Sequence, residues 1–396
     1  MGIADMTRHA PWQRPRIDPD TANQPDAQMI DNTEISSGLY DKIFVYYPRG
    51  LQTGGPEALH QLVGSLRALG QHAYLVPLPG TEGNPRVLEY ERYEAPERDS
   101  VEDSTRNAIV APEGYYPVLG TARKAVRFCW WLSIDNSPVF RRERLAMDMR
   151  TFGNCTPWDR IENRAKQRAS SLWRAARGQN RLLYTVNHLV QSQYAWAYLY
   201  SKLNIVSTVL SDYTPIAITD RTILPASQRD RTILYNPKKG LELTSKVASA
   251  YGRADFRPLV DMSRSQVLDA LASGTVYLDL GNHPGKDRMP REAALMGCIT
   301  VVGRRGSAAF TADVPLPARH KVQLQCSDPI RAVIAVLDSA FAAPDEYQQR
   351  QRPYVEMIKG EERRFLDEAR TVFVKGELGS DTSGIQVTEQ LKTHAY

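Results

Sequence analysis

Hydrophobic residues recur along the chain in two forms, short continuous runs and longer stripes with helical spacing. The first run covers residues 42–47 and leads through a glycine-bearing turn into a stripe from Leu59 to Leu69 that lies on one helical face. Pro56 suits the start of that helix and Gly70 its end, and a second apolar run follows at 72–76. Strand, glycine turn, helix and strand in this order predict the opening of a Rossmann-like unit.

The same alternation continues through the chain. The pattern predicts strands at 125–132, 182–186, 205–210, 232–235, 256–260, 276–279 and 299–302, and helices at 188–203, 290–297 and beyond 344. Nearly continuous apolar runs are typical of strands covered on both faces, as in parallel sheets. Ser263 with Gln266 forms a capping-box pattern that predicts one more helix start.

These elements predict an α/β protein with two Rossmann-like domains that face each other across a cleft. We expect a disordered leader at 1–38, an N-terminal domain at 39–226, a C-terminal domain at 227–345, and a C-terminal helix with a polar tail at 346–396.

Composition narrows the functional classes. The 396 residues carry a net charge of +5, which alone does not make a nucleic-acid binder, and the aromatic residues do not interleave with the basic ones as a base-stacking platform requires. No apolar run is long enough to span a membrane, and the four cysteines lack the spacing of a disulfide scaffold or a zinc site. We expect a cytoplasmic protein without bound metal.

Ligands of open α/β sheets bind beyond the carboxyl ends of the strands, so the loops there are the candidate sites. Gly54 and Gly55 present bare backbone amides at a helix start, a geometry that holds phosphate, although such glycines also serve as plain turn residues. Lys239 follows a strand end and could neutralise a leaving diphosphate; a solvated lysine pair is the alternative.

The loop and helix start at 281–298 hold the densest group of ionisable residues. The candidate ligand-binding residues there are Gly285, Lys286, Arg288, Arg291 and Glu292. A carboxylate in the first helical turn is favoured by the helix dipole and can accept hydrogen bonds from sugar hydroxyls. A cluster of salt bridges that caps the helix is the alternative.

Another candidate follows the strand at 125–132. Asp135 and Asn136 could bind or deprotonate an acceptor hydroxyl, although such residues also begin turns. His188 would face the same cleft only if a helix begins there.

Several of these segments resemble GT-B glycosyltransferases of the retaining, nucleotide-sugar-dependent type. Gly54-Gly55-Pro56-Glu57 with the later Leu69-Gly70-Gln71-His72 resembles their opening pattern, and the segment 290–298 resembles their donor-site helix. Lys239-Gly240 matches the Lys-Gly after the first strand of their second domain. The WLS-DN, YNPKKG and HPGKDR-PREAA blocks are similar to those of a bacterial set of such enzymes, and the resemblance runs from about residue 40 to 345.

The resemblance implies roles for individual residues. Glu292 would hold the ribose hydroxyls of a nucleotide sugar, Lys239 would contact its diphosphate, and Gly54-Gly55 would approach from the other domain. Two departures stand out: the first of the two usual glutamates falls on Pro284, and the arginine that usually precedes the Lys-Gly falls on Ile233. Lys286, Arg288 or Arg291 would then supply the missing cation.

The implied reaction moves a sugar from a nucleoside diphosphate sugar to an acceptor hydroxyl of a glycan or a lipid-linked glycan, in surface-polysaccharide or glycoconjugate synthesis. Cationic side chains and helix N-termini would stabilise the leaving diphosphate without metal or a further cofactor. A nucleotide-sugar epimerase of the same fold and a non-catalytic nucleotide-sugar-binding protein are the alternatives.

A basic segment lies within the first half. Residues 123–181 carry a local net charge of +9, and within them 157–177 has the pattern of an amphipathic helix with cations on one face. Such a helix could touch an anionic membrane, where lipid-linked acceptors lie, or pack on its own domain.

Overall fold

The computed structural model describes residues 38–137, 179–215 and 222–379. Almost all of the expected leader, the amphipathic helix predicted at 157–177 and most of the basic segment lie outside these residues. Within the described ranges no helix is long and apolar enough to cross a membrane.

The first sheet contains six parallel strands in the order β2-β1-β3-β4-β5-β6. They are β1 Lys42–Tyr47, β2 Ala73–Pro77, β3 Asn107–Pro112, β4 Val126–Trp131, β5 Asn187–Val190 and β6 Thr208–Val209. The α-helices of this half within the described ranges are α1 Gly54–Ala68, α2 Gln179–Leu183 and α3 Gln193–Leu203. Apolar side chains cover both faces of the sheet, as the continuous runs predict.

The second sheet contains five parallel strands in the order β11-β10-β9-β7-β8. They are β7 Asp230–Tyr235, β8 Asp255–Pro258, β9 Gly274–Asp279, β10 Ile299–Gly303 and β11 Lys321–Val322. The helices of this half are α4 Leu241–Ala250, α5 Arg264–Ser273, α6 Arg288–Leu295, α7 Pro329–Ala342, α8 Pro344–Arg350, α9 Arg352–Lys359 and α10 Glu361–Phe373. The α/β class with two Rossmann-like domains is therefore confirmed.

Capping residues mark one helix end and one helix start where the sequence predicts them. Gly70 follows α1 with φ +78°, and the capping box of Ser263 and Gln266 opens α5. Helix α1 begins at Gly54 rather than at Pro56, and α6 begins at Arg288 rather than at residue 290.

The prediction is wrong in the middle of the first half. Strand β3 was not expected, yet it lies between β1 and β4 at the centre of the sheet. The strand expected at 182–186 is the end of α2 and a turn, and the helix expected from His188 begins only at Gln193 because β5 precedes it. His188 is thus a strand residue, and its Nδ1 accepts a hydrogen bond of 2.8 Å from the Trp131 indole.

Helix α10 belongs to the last segment of the chain but packs on the first domain. Its Phe365 stacks on Trp130 with ring centroids 6.1 Å apart, and Phe373 packs on Phe128 at 5.2 Å. These four side chains are buried. The chain therefore returns to the first domain after completing the second, and Glu361 at the start of α10 is paired with Arg291 of α6.

Candidate functional site

The N-termini of α1 and α6 meet at the carboxyl edges of the two sheets. Gly54 and Arg288 are the first residues of these helices, and the Arg288 guanidinium donates to the Gly54 carbonyl oxygen at 3.3 Å. A Cβ atom at Gly54 would lie 3.4 Å from Arg288 Nε, an ordinary contact distance, so the start of α1 is adjacent to Arg288 but does not require a glycine there. Two partially positive helix ends and a guanidinium are therefore brought together.

Glu57, in the first turn of α1, balances the positive charge of Arg288. Its carboxylate forms an ion pair with Arg288, a second with Arg92 at 2.5 Å, and accepts from the Tyr93 hydroxyl at 2.6 Å. Burial raises the pKa of Glu57, but the charge of Arg288 and these hydrogen bonds outweigh burial and hold it below its ordinary value.

Lys239 lies on the second domain, close to the N-terminus of α6. Its ammonium is 2.6 Å from Asp287 Oδ2, the residue that precedes α6. Burial lowers the pKa of Lys239, but Asp287 and Asp279 outweigh it and raise that pKa. The loop that carries Lys239 packs directly on the chain just after β9. Only a glycine fits at residue 240, because Gly240 has φ +62° and a Cβ there would lie 2.7 Å from the Gly281 nitrogen.

His283 lies between two carboxylates behind Lys239. Its ring nitrogens are 3.6 Å from Asp279 and 3.1 Å from Asp287, and these attractions outweigh burial and raise its pKa. The three side chains bring their ligand atoms within 4.8 Å of one another and are of types that bind divalent cations. Since Lys239 already places a cation on Asp287, the geometry also fits a metal-free site, and the expected absence of metal stays a prediction.

Glu292 is held by an arginine that the sequence did not indicate. Arg264, the first residue of α5, forms a bidentate pair with the Glu292 carboxylate at 2.6 and 2.7 Å. Glu292 lies one turn after Arg288 on α6, so the two residues are on the same side of that helix. In the sequence, only the capping box at Ser263 indicates that a helix starts at Arg264, and no pattern predicts that Arg264 pairs with Glu292.

Arg291 and Lys286 point elsewhere. The Arg291 guanidinium is completely buried, with Asp212 at 2.7 Å and Glu361 at 2.8 Å, while Lys286 Nζ is 3.4 Å from Glu361. Neither cation borders Gly54 and Lys239 in this arrangement. The alternative of a structural salt-bridge cluster describes Arg291 well, because it joins α6 to the first domain and to the start of α10.

Gly285 lies where the loop after β9 touches the first domain. A Cβ atom there would overlap the Leu132 carbonyl oxygen and would lie 2.5 Å from Gln191 Oε1. On either side of Gly285 the loop makes two interdomain hydrogen bonds of 2.9 Å. These bonds run from Ile134 N to the Pro284 carbonyl and from Lys286 N to Gln191 Oε1. The glycine is therefore required by the close contact of the two domains.

Asp135 also faces the second domain. One of its carboxylate oxygens accepts from the Asn282 amide, and the other accepts from the Tyr194 hydroxyl at 3.2 Å. Asp135 is buried, whereas the neighbouring Asn136 is exposed. Of the two residues predicted from sequence, Asp135 therefore lies at the interdomain contact and Asn136 lies at the surface.

Glu113 is a further buried carboxylate at this edge that sequence reasoning missed. It follows β3 and accepts hydrogen bonds from the backbone amides of Leu132 at 2.9 Å and Ser133 at 3.1 Å. Burial outweighs these bonds and raises the pKa of Glu113 to about 7. It fixes the turn that presents Leu132 to the opposite domain.

Comparison with solved structures places this arrangement in a known fold. The chain is similar to a glycosyltransferase from Rickettsia africae (TM-score 0.56, 12% identity, 84% of this chain and 98% of that chain). It is equally similar to sucrose-phosphate synthase from Thermosynechococcus elongatus (TM-score 0.56, 12% identity, 84% and 99%). A third match is WaaG, a glycosyltransferase involved in lipopolysaccharide biosynthesis (TM-score 0.50, 11% identity, 82% and 98%).

These matches define the fold as GT-B, with two Rossmann-like domains that face each other across a cleft. No protein-family model and no curated protein matches the sequence. The likeness at 12% identity concerns the backbone architecture alone, and the chemistry depends on the side chains at the site.

Proposed function

We propose that this protein is a glycosyltransferase that moves a sugar from a nucleoside diphosphate sugar to an acceptor hydroxyl. The observation that carries the proposal is the meeting of two helix N-termini, α1 and α6, beside Lys239 and Arg288. Helix N-termini and cations at one place form an environment for a diphosphate, whose negative charge grows as the sugar departs.

Both cations are held by carboxylates in the structure. Lys239 pairs with Asp287, and Arg288 pairs with Glu57. A diphosphate would take over part of this pairing, so the cations are already oriented and little reorganisation is needed. Stabilisation of the leaving group by these residues supports a reaction without metal or a further cofactor.

Glu292 is assigned to the ribose hydroxyls of the donor. Its carboxylate is buried and fixed by Arg264, so both oxygens keep a defined direction and can accept from hydroxyl groups through their remaining lone pairs. Arg264 also supplies a cation beside Glu292. We include it among the donor-binding residues.

Asp135 is assigned to the acceptor hydroxyl because it lies at the interdomain contact on the first domain. We propose a glycan or lipid-linked acceptor, a hexosyl or related donor, and a role in bacterial surface-polysaccharide or glycoconjugate synthesis. The resemblance of the donor-site helix favours retention of configuration, and proton NMR of the product anomer tests it. A cytoplasmic location, with the basic segment against the inner membrane face, belongs to the same proposal and is tested by flotation with anionic liposomes.

The direct test is binding of UDP-, GDP-, dTDP- and CMP-sugars, measured by thermal shift and then by calorimetry. We expect one of these donors to bind and Glu292→Ala to weaken its affinity by about tenfold or more, since a charge-assisted contact is lost. Glu242→Ala is the matched control, because Glu242 is an exposed carboxylate on α4 that pairs with Lys246.

Unchanged donor affinity in Glu292→Ala, or no binding of any nucleotide sugar, would contradict the proposal. Incubation of the bound donor without acceptor separates the rival activities. An epimer formed from donor alone identifies an epimerase, and binding without turnover in the presence of acceptors identifies a non-catalytic binding protein.

A further inference from the structure

Helix α3 of the first domain is capped by a carboxylate of the second domain. The first amides of a helix have no partner within the helix and need one from elsewhere. In α3 the Ser192 hydroxyl accepts from the Ala195 amide at 3.2 Å. The amides of Gln193 and Tyr194 donate instead to the two carboxylate oxygens of Asp313, at 2.7 and 3.0 Å. The start of α3 therefore depends on a residue of the opposite domain.

Asp313 lies in the connection between β10 and β11, and its side chain is buried. The ring of Phe310 in the same connection packs on the Tyr194 ring, with centroids 6.0 Å apart. Burial raises the pKa of Asp313 to about 6, although the two amides of α3 favour its charged form. At about pH 7.5 the carboxylate is therefore ionised, and hydrogen bonds to a charged acceptor are the stronger kind.

Tyr194 connects this cap to the proposed site. Its hydroxyl donates to Asp135 Oδ1 at 3.2 Å, and the Asn282 amide donates to the other carboxylate oxygen. Asp135 is also close enough to Lys239 for its charge to act there. Burial lowers the pKa of Lys239, and carboxylates that include Asp135 outweigh burial and raise it. Contacts therefore continue from Asp313 through Tyr194 to the residues assigned to the reaction.

We infer that Asp313 is a positioning residue: by capping α3 from the opposite domain it holds Tyr194, and the Tyr194 hydroxyl fixes the direction of the Asp135 carboxylate. A tyrosine side chain has few rotatable bonds, so a fixed backbone at Tyr194 also limits where its hydroxyl lies. The inference rests on the proposed function in one respect, that Asp135 contacts the acceptor hydroxyl. Asp313 itself is assigned no contact with donor or acceptor.

Hydrogen exchange of the full chain at about pH 7.5, followed by mass spectrometry, tests the cap. Asp313→Asn keeps the size of the side chain but replaces one acceptor oxygen by an N–H donor that faces an amide. Exchange at the start of α3 should accelerate tenfold or more. Exchange in the turn 133–137, where the amides of Asn136 and Ser137 bond within the turn, should accelerate with it. Tyr194→Phe removes only the hydroxyl, so it should affect that turn and leave the start of α3 protected.

Asp328→Asn is the matched control. Asp328 caps α7 within its own domain, where its carboxylate accepts from the Arg331 amide at 2.9 Å. This variant should accelerate exchange at the start of α7 and leave α3 and the turn 133–137 as in the parent protein. Three results would overturn the inference: unchanged exchange at α3 in Asp313→Asn, a response of α3 without a response of the turn, or a response of α3 in the control.

A kinetic measurement separates positioning from a general loss of structure. The substrate is the nucleotide sugar that binds the parent protein, with water as acceptor, and the release of free sugar and nucleoside diphosphate is followed. Asp313→Asn and Tyr194→Phe should each lower kcat tenfold or more and leave donor affinity within about twofold. The double variant should be no slower than the slower single variant, because both residues act through one link.

Additive losses in the double variant, or a loss of donor affinity as large as the loss of kcat, would show that Asp313 acts on the structure as a whole and would refute its positioning role. Failure of every nucleotide sugar to bind the parent protein refutes the proposed function instead. The exchange measurements then decide by themselves whether Asp313 holds Tyr194 and the turn of Asp135.

Discussion

Replacement of Gly285 by alanine is the most informative single perturbation of the cleft. The added methyl carbon would overlap the Leu132 carbonyl oxygen and lie 2.5 Å from Gln191 Oε1, where about 3.5 Å is comfortable. Both obstructing atoms belong to the first domain. Because the Gly285 backbone does not have a positive φ, alanine adds no backbone strain within its own domain. The variant should fold, and its domains should separate by roughly 1 Å at this point.

A separation of that size breaks the hydrogen bonds that flank Gly285. Those from Ile134 N to Pro284 and from Lys286 N to Gln191 are both 2.9 Å long and tolerate little extension. Each contributes about 1 kcal/mol. Together with the steric overlap, the arrangement in which the two domains touch at Gly285 should lose about 3 kcal/mol, which is on the order of a hundredfold in its population.

The assay compares donor binding with sugar transfer in Gly285→Ala. Donor affinity should fall by less than about threefold, because Lys239 and Glu292 belong to the second domain and keep their partners, whereas kcat should fall about a hundredfold. Gly252→Ala is a control, since a Cβ at Gly252 meets nothing within 4 Å. Transfer at the parental rate by Gly285→Ala would refute the conclusion that the close contact of the two domains requires this glycine.

Three further changes test individual parts of the site. Glu113→Gln should flatten the pH dependence of the free energy of unfolding. Because burial raises the pKa of Glu113 to about 7, the free energy of unfolding of the parent protein falls by up to a few kcal/mol as pH rises from about 4.5 to 7. Denaturant unfolding across that pH range measures the difference. Arg291→Met should lower the free energy of unfolding by about 3–5 kcal/mol because Asp212 and Glu361 stay buried without their cation, so a midpoint equal to the parental one would contradict the assignment. Lys239→Ala should weaken nucleotide-sugar affinity about tenfold, and transfer by the parent protein should continue in excess EDTA; loss of activity that added divalent cation restores would contradict metal independence.

The parts of the fold that were predicted are those in which local pattern and burial agree. Strands β1, β4, β9 and β10 are continuous apolar runs, and each is buried on both faces. Strand β3 was not predicted although it is as long as β1, because it begins with Asn107, ends with Pro112 and contains only four apolar residues between them. Its burial comes from its two neighbours in the sheet. Residues 182–190 contain apolar residues in both α2 and β5, so periodicity alone placed the boundary wrongly.

The candidate site divides in the same way. Gly54, Lys239 and Glu292 were found because loops at the carboxyl ends of parallel strands converge on one edge, which sequence order reveals. Arg264, Gln191 and Glu113 were not found. Their roles depend on which residue stands opposite them in another element, and no spacing within one chain segment contains that information.

Helix α6 shows why residue type is a poorer guide than geometry. Successive residues on a helix point about 100° apart, so Arg291 and Glu292 leave α6 in different directions. Glu292 points toward Arg264 and the proposed donor, while Arg291 is buried against Asp212 and Glu361. Arg291 fixes the helix to the first domain and to α10, and that fixation determines where the N-terminus of α6 meets α1. A change at Arg291 should consequently reduce donor binding only through misplacement of α6, so a variant that restores folding at this position should also restore affinity.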